Sequence, residues 1–299
     1  MSLIPICQEI DKYARFDLLE QMIDLHVHTT ASDGIYSPEE IVRRACEEGL
    51  SLIAITDHDS MDGVEAAEKA AIQTNGLLRV VGGCELSIEF DGGDFHLLGY
   101  NLKASDEMSA VLSGIKKCRA ERIYKMIDDI AYSGVDISIS DLDGFNESSS
   151  PGKPLVARAL IKKGYASDIK DAFTKFMCSG KPGFVPKKKI LPEDGFRMIR
   201  KSGGFSSLAH PSSLNIDDDL FELYLQKLIK LGLNGIEAYS AIAAEKQTEL
   251  YLKLASKYDL IVTGGSDYHG DHRENLGYYK PGRAVPEDLA LRFYELCKD

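Results

Sequence analysis

The chain has 299 residues, with 35 Lys plus Arg against 47 Asp plus Glu, which gives a formal net charge of −12. Hydrophobic residues make up 44% and charged residues 27%, an ordinary globular composition that excludes a disordered tail or a collagen-like repeat. The acidic balance argues against a protein that grips duplex DNA by neutralising many phosphates, but it leaves room for a small anionic substrate in one local cationic site. At roughly 150 residues per domain the length allows two domains or one large α/β unit with an insertion. Cysteines at 7, 46, 84, 118, 178 and 297 form no close pair, so they read as reduced thiols of a cytoplasmic protein. There is no run of 18 apolar residues, and Glu9, Asp11 and Asp17 stand where a signal peptide needs basic and then apolar residues. The expectation is a chain that neither spans a membrane nor is exported.

Residues 1–21 read as a helical lead-in. From residue 22 short apolar runs alternate with helical patterns, the signature of β-α units wound into a parallel sheet or barrel. The first runs are Met22 to Leu25, Leu52 to Ile55 and Leu78 to Val81. Between the first two, Ser37-Pro38-Glu39-Glu40 supplies an N-cap and a proline at the first helical position, and Gly49 ends the helix. A second helix is expected from Asp62. Leu86 to Phe90 and Phe95 to Tyr100 then flank Asp91-Gly92-Gly93-Asp94, which reads as a hairpin. Residues 103–189 form a helical insertion, with Met108, Leu112, Ile115, Ile123, Ile127 and Ile130 at helical spacing and two further helical stretches near 155–163 and 168–177. The α/β rhythm resumes over 190–299: a helix from Pro192, strands at Gly204 to Leu208, Gly235 to Ala238 and Leu260 to Thr263, intervening helices, and a last helix from Pro286.

The chemistry collects at strand ends. His26 and His28 follow the first strand, His58 the second, His210 a later one and His269 the last, which in a β/α barrel is where catalytic residues gather. Side chains two apart in a strand share a face, so the H-x-H pair presents two imidazoles to one side. Glu85, Asp33 and Asp267 lie in matching places and His96 sits on the hairpin, which makes a donor set suited to Zn, Mn or Fe. Asp24 and Asp57 are positioned to accept the outward ring N–H of ligand histidines, or else to end strands and cap helices. Buried histidines satisfied by backbone are common, but five strand ends each supplying His, Asp or Glu exceed what packing demands. His272 reads as an exposed loop residue.

Asp24-Leu25-His26-Val27-His28-Thr29, Ile55-Thr56-Asp57-His58-Asp59, Ala209-His210-Pro211 and Gly265-Ser266-Asp267-Tyr268-His269 resemble the four motifs of the polymerase and histidinol phosphatase (PHP) family of metal-dependent phosphoesterases. The resemblance runs from residue 22 to about 275. It implies a distorted seven-stranded (β/α)7 barrel with two or three divalent ions, Mn, Fe or Zn, at its C-terminal mouth. It implies one ion on His26, His28, Glu85 and Asp267, a second sharing Glu85 and adding His96 and His210, and a third on Asp33, His58 and His269. Asp33, His58 and His269 are also the implied catalytic residues. Within the family, the insertion resembles that of the branch removing the 3′-phosphate of nucleoside 3′,5′-bisphosphates or degrading short RNA from its 5′ end. The matching residues are Arg119-Ala120-Glu121-Arg122, Val156-Ala157-Arg158 and Gly180-Lys181-Pro182-Gly183-Phe184-Val185-Pro186; the chain departs from the branch at Leu155, where a histidine is common. Arg119, Arg122, Arg158 and Lys181 are thereby candidate phosphate contacts. Arg119 and Arg122 are three apart on a helix, so two guanidinium forks can share a face, although such a face can also simply be solvated.

The expected activity is phosphate ester hydrolysis by metal-activated water on a nucleotide or short RNA, with no duplex DNA, membrane or obligate protein partner. The competing readings are a C–N hydrolase of the amidohydrolase type, which would also use H-x-H ligation, and a metal-stabilised module without catalysis.

Overall fold

The structure is a computed structural model that describes residues 22–103, 105–147, 150–270 and 275–297. The expected lead-in over residues 1–21 and His272 lie outside the described residues. Seven strands form one sheet in the order β1 to β7: β1 (Met22–Val27), β2 (Leu50–Ile55), β3 (Arg79–Ile88), β4 (Phe95–Tyr100), β5 (Phe205–Leu208), β6 (Gly235–Tyr239) and β7 (Ile261–Gly264). All neighbours are parallel except β4, which is antiparallel to both β3 and β5. The two ends of the sheet meet beyond β7, where the His28 N–H donates to the Tyr268 carbonyl at 2.9 Å and the Tyr268 N–H to the His26 carbonyl at 3.2 Å. The result is an α/β sheet curled toward a barrel, with helices α1 (Pro38–Glu47), α2 (Val64–Ile72), α6 (Pro192–Lys201), α7 (Asp218–Leu231), α8 (Glu245–Tyr258) and α9 (Asp288–Leu296) in the connections.

Local chemistry explains most boundaries. Ser37 Oγ accepts the Glu40 N–H at 3.2 Å and Pro38 opens α1, as the capping residues require. Three expectations need correction. His26 does not follow the first strand but lies within β1, with His28 just beyond its end. The runs at Leu78 to Val81 and Leu86 to Phe90 are one continuous strand, because β3 pairs with β2 over Arg79–Gly82 and then with β4 over Gly83–Ile88. Glu85 is therefore inside a strand rather than after it. Helix α2 begins at Val64 with no side-chain cap, and the Asp62 carboxylate instead pairs with Lys116. A small hairpin, β8 (Tyr278–Lys280) and β9 (Arg283–Ala284), was not foreseen.

The region 103–189 holds α3 (Asp106–Tyr132), α4 (Lys153–Lys162) and α5 (Ile169–Ala172), the last continued by a π turn to Met177. Its apolar residues fall in two groups. Met108, Leu112 and Ile115 pack with Phe196 and Ile199 on the sheet's own core, whereas Ile123, Met126, Ile127 and Ile130 join Leu155, Val156 and Leu160 in a separate core. Helix α3 is thus one rod seated in both cores, and it projects Arg119 and Arg122 between them toward the strand ends.

Candidate metal centre

Glu85 is the hub of the strand-end cluster. Its Oε2 lies 3.4 Å from His26 Nε2, 3.3 Å from His28 Nε2 and 2.8 Å from His58 Nδ1, and its Oε1 lies 2.9 Å from His96 Nδ1 and 3.0 Å from His210 Nε2. It reaches so many groups because the chain beyond β2 runs alongside β3, with His58 level with Glu85. On one flank Asp267 Oδ1 is 3.3 Å from His26 Nε2 and 3.1 Å from His28 Nε2; on the other, Asp33 Oδ1 is 3.4 Å from His269 Nε2. Three groups each bring one ligand atom per residue to within 4.8 Å of one another: His26, His28, Glu85 and Asp267; His58, Glu85 and His96; and His28, Asp33, His58 and His269. Eight of the nine candidate ligands singled out in the sequence fall in these groups, and His210 joins them through its 3.0 Å approach to Glu85 Oε1. His58 is shared between two of these groups.

The donor set fits divalent cations. Among the described residues His26 Nε2, Asp33 Oδ1, His58 Nδ1 and Glu85 Oε2 are buried and crowd one another without a well-aligned hydrogen bond, an arrangement that a bound cation would satisfy. His96 Nδ1 and His210 Nε2 face each other at 3.3 Å, where two lone pairs repel unless a proton or cation lies between them. The mixture of imidazole and carboxylate donors suits Zn, Mn or Fe. Burial acts to neutralise Asp33, Glu85 and Asp267, but the imidazoles packed around them hold all three well below the usual carboxylate range. Burial pushes His58 down to about 3, leaving it neutral with a lone pair to offer. His26 is raised instead, because Glu237, Asp267 and Glu85 outweigh its burial.

Backbone strain is concentrated at the same place. His210 and Asp267 have φ of 24° and 57°, a region side-chain-bearing residues rarely occupy and that clusters at functional sites. Gly265 is required by close approach, since a Cβ there would lie 2.4 Å from the His26 Cβ.

The two aspartates expected behind the ligand rings do something else. Asp24 accepts the backbone N–H groups of His26, Ser266 and Gly277 and the Ser266 hydroxyl, and Asp57 accepts the Thr29 N–H and the hydroxyls of Thr29 and Ser32. Both tie loops to strand ends through main-chain N–H groups and hydroxyls, and neither makes a hydrogen bond to an imidazole ring. The ring contact falls to Glu237 in β6, which sequence reasoning missed: its Oε1 accepts from His26 Nδ1 at 2.9 Å.

A cavity of about 630 Å³ opens onto Asp33, His58, His96 and His269. It is also lined by Arg119, Arg122, Lys153, Lys187 and Lys189, with Asp94 3.8 Å from Lys189 Nζ. Arg119 is neither a free phosphate fork nor a solvated residue: it is buried, with Nε and Nη2 at 2.8 Å and 2.5 Å from Asp59 Oδ2. Arg122 Nε donates to the Val185 carbonyl at 2.7 Å, and burial pulls its pKa to about 10. Arg158 lies off the cavity and donates to the Asp33 carbonyl at 2.9 Å, so it holds a ligand loop. Lys181 is exposed and off the cavity, because the turn closed by Lys181 N–H to Cys178 O and Phe184 N–H to Lys181 O points it outward. The loop's cavity contacts are Phe184 through Lys187 and Lys189. Burial and the neighbouring Arg119 push Lys187 down to about 7.

The profile of the PHP domain matches residues 24–295. The chain belongs to the PHP family. It is 28% identical over 263 residues to the 3′,5′-nucleoside bisphosphate phosphatase of Chromobacterium violaceum, covering 86% of this chain and 90% of that one. It is 28% identical over 247 residues to the 5′-3′ exoribonuclease of Haemophilus influenzae, covering 82% and 89%. A solved structure from Bifidobacterium adolescentis, itself assigned as a metal-dependent phosphoesterase, superposes with a TM-score of 0.82 at 25% identity over 94% of this chain and 98% of that one. This PHP protein is a metal-dependent hydrolase of phosphate esters, built on the α/β fold of its family. Among the described residues no helix is long and apolar enough to cross a membrane.

Proposed function

We propose that this PHP protein removes the 3′-phosphate of nucleoside 3′,5′-bisphosphates, or trims short RNA from its 5′ end, with two or three Mn, Fe or Zn ions. The ions would be held by His26, His28, Glu85 and Asp267; by Glu85, His96 and His210; and by Asp33, His58 and His269. The observation that supports this reading is the cavity that brings imidazole and carboxylate ligands together with Arg122, Lys153, Lys187 and Lys189, whose positive charge exceeds that of the one further carboxylate there, Asp94, a shape and charge suited to a small, highly phosphorylated molecule. When bound, the ions supply Lewis acidity and a water whose pKa is brought toward neutrality. The protein's own groups do the rest. Asp33, His58 and His269 form the cavity face of the cluster and meet the reacting phosphate. Arg122, Lys153 and Lys189 hold its anionic oxygens, and Arg119 fixes Asp59 beside His58. Lys187 Nζ, with its pKa near 7, is the group on that wall suited to give a proton to the leaving oxygen. Residues 22–102 and 190–299, with the first half of α3 packed on their core, would form the catalytic unit, and the rest of 103–189 a domain that closes over it. The dispersed cysteines support a cytoplasmic location.

The test is phosphate release from adenosine nucleotides carrying 2′-, 3′- or 5′-phosphates, with 5′-phosphorylated oligoribonucleotides and an amide panel as further arms. The expected result is release of the 3′-phosphate next to a retained 5′-phosphate, or stepwise loss of 5′ nucleotides. Cleavage of amides alone would favour the C–N hydrolase, and no cleavage in any metal would favour a binding module.

A further inference from the structure

Glu237 is the one carboxylate in β6 and is fully buried, in a strand otherwise made of Gly, Ile, Ala and Tyr. A charge in such a place needs partners of its own. Glu237 has two, and they belong to different strand ends. Its Oε1 accepts the ring N–H at His26 Nδ1, 2.9 Å away, and its Oε2 accepts the backbone N–H of His210, 2.6 Å away. The first bond fixes the His26 tautomer, so that the Nε2 lone pair points at Glu85 and Asp267. The second anchors His210 in its strained backbone conformation at φ 24°, from which Nε2 reaches Glu85 Oε1 at 3.0 Å.

We propose that Glu237 is a positioning residue that sets two ligand histidines at once, His26 through its ring and His210 through its main chain, and so couples the metal group on Asp267 to the metal group on His96. This rests on the metal reading above. A carboxylate can accept at both oxygens, whereas a carboxamide of the same shape has one acceptor and one donor. In Glu237→Gln the oxygen can serve the His210 N–H only by turning its NH2 toward His26 Nδ1. That forces the opposite His26 tautomer, with a proton on the atom meant for the ion. The reverse orientation keeps His26 and releases His210. Either way one change weakens a site it never touches.

The experiment is Zn titration of the metal-stripped full chain against a chelator, with ¹⁵N-histidine NMR of the Zn-loaded protein. Wild type is expected to show His26 protonated at Nδ1 and bound through Nε2. Glu237→Gln is expected to bind Zn 10–100-fold more weakly, the range for loss of a carboxylate behind a ligand histidine, while unfolding in metal-free form near the wild-type temperature. Glu222→Gln, which alters a carboxylate bonded to Lys257 and Tyr258 between α7 and α8 and touching no ligand, serves as the control and should leave the His26 ring signal unchanged. Zn affinity of Glu237→Gln within twofold of wild type overturns the inference. So does a wild-type His26 bound through Nδ1, a result that needs no variant to fold. Wild type that takes up no Zn overturns the metal reading and this inference together, whereas wild type that loads normally beside an unaffected variant overturns this inference alone.

Discussion

Replacing Gly152 by Ala is a perturbation of one methyl group with a calculable effect. Gly152 precedes α4 at φ −114°, which alanine adopts freely, so the backbone itself is not strained. The added Cβ would lie 2.3 Å from Asp33 Oδ2 and 3.1 Å from Asp33 Cγ. An ordinary contact needs roughly 3.5 Å, so either Asp33 or the loop must yield by about 1 Å. The loop is tethered, because the Ser150 N–H donates to the Ala31 carbonyl at 3.0 Å and Arg158 holds the Asp33 carbonyl at 2.9 Å. The Asp33 carboxylate is therefore the part that moves, and its 3.4 Å approach to His269 Nε2 is lost. A displacement of this size in a catalytic group costs about 100-fold in rate, or roughly 2.7 kcal/mol of transition-state stabilisation. The assay is kcat/KM for phosphate release together with thermal unfolding. A 100-fold loss with Tm close to wild type is the expected outcome; activity within threefold of wild type would refute the role given to Asp33.

Lys187 carries its positive charge below its lowered pKa of about 7 and loses it above, so kcat should fall as pH rises through neutrality. In Lys187→Arg the rate should be lower and this alkaline limb absent, and an unchanged pH profile would remove Lys187 from the mechanism. Arg119→Met leaves the Asp59 carboxylate buried without its guanidinium, a change that should cost about 3–5 kcal/mol in urea unfolding; a loss under about 1 kcal/mol would show that the pair is not structural. Lys181→Ala should leave KM within twofold of wild type, whereas Lys189→Ala should raise it about tenfold, and the opposite ranking in steady-state kinetics would mean that Lys181 rather than Lys189 meets the substrate.

The sequence spoke most clearly where one residue type recurs at one kind of place. His26, His28, His58, His210 and His269 each follow an apolar run, and strand ends in a curled parallel sheet necessarily point to one mouth, so their meeting followed from topology. The α/β rhythm was equally legible, because alternating period-2 and period-3.6 patterns are set by which face is buried. The single strand β3 was not legible, since its two halves pair with different partners in opposite directions and the Gly82-Gly83 step resembles a break. Which of their two roles Asp24 and Asp57 take was not legible, because adjacency in a motif says nothing of which way a carboxylate turns. Glu237 left a signal that went unused: an acidic residue inside an apolar parallel strand needs a buried partner. Lys187 and Lys189 were hidden in a run of loop lysines without periodicity, where only the turn at residues 178–184 decides that they face the cavity and Lys181 does not.

The central claim is that phosphate ester cleavage depends on metal held by the strand-end cluster. The most direct measurement is metal content and phosphate release, on adenosine 3′,5′-bisphosphate, for chelator-stripped protein before and after Mn, Fe or Zn is returned, with His28→Ala and Asp267→Ala carried in parallel. The account predicts an inactive stripped enzyme, restored turnover with at least one of these metals, and variants that lose metal and activity together. Full turnover by the stripped protein, or by a variant that retains no metal, would contradict it.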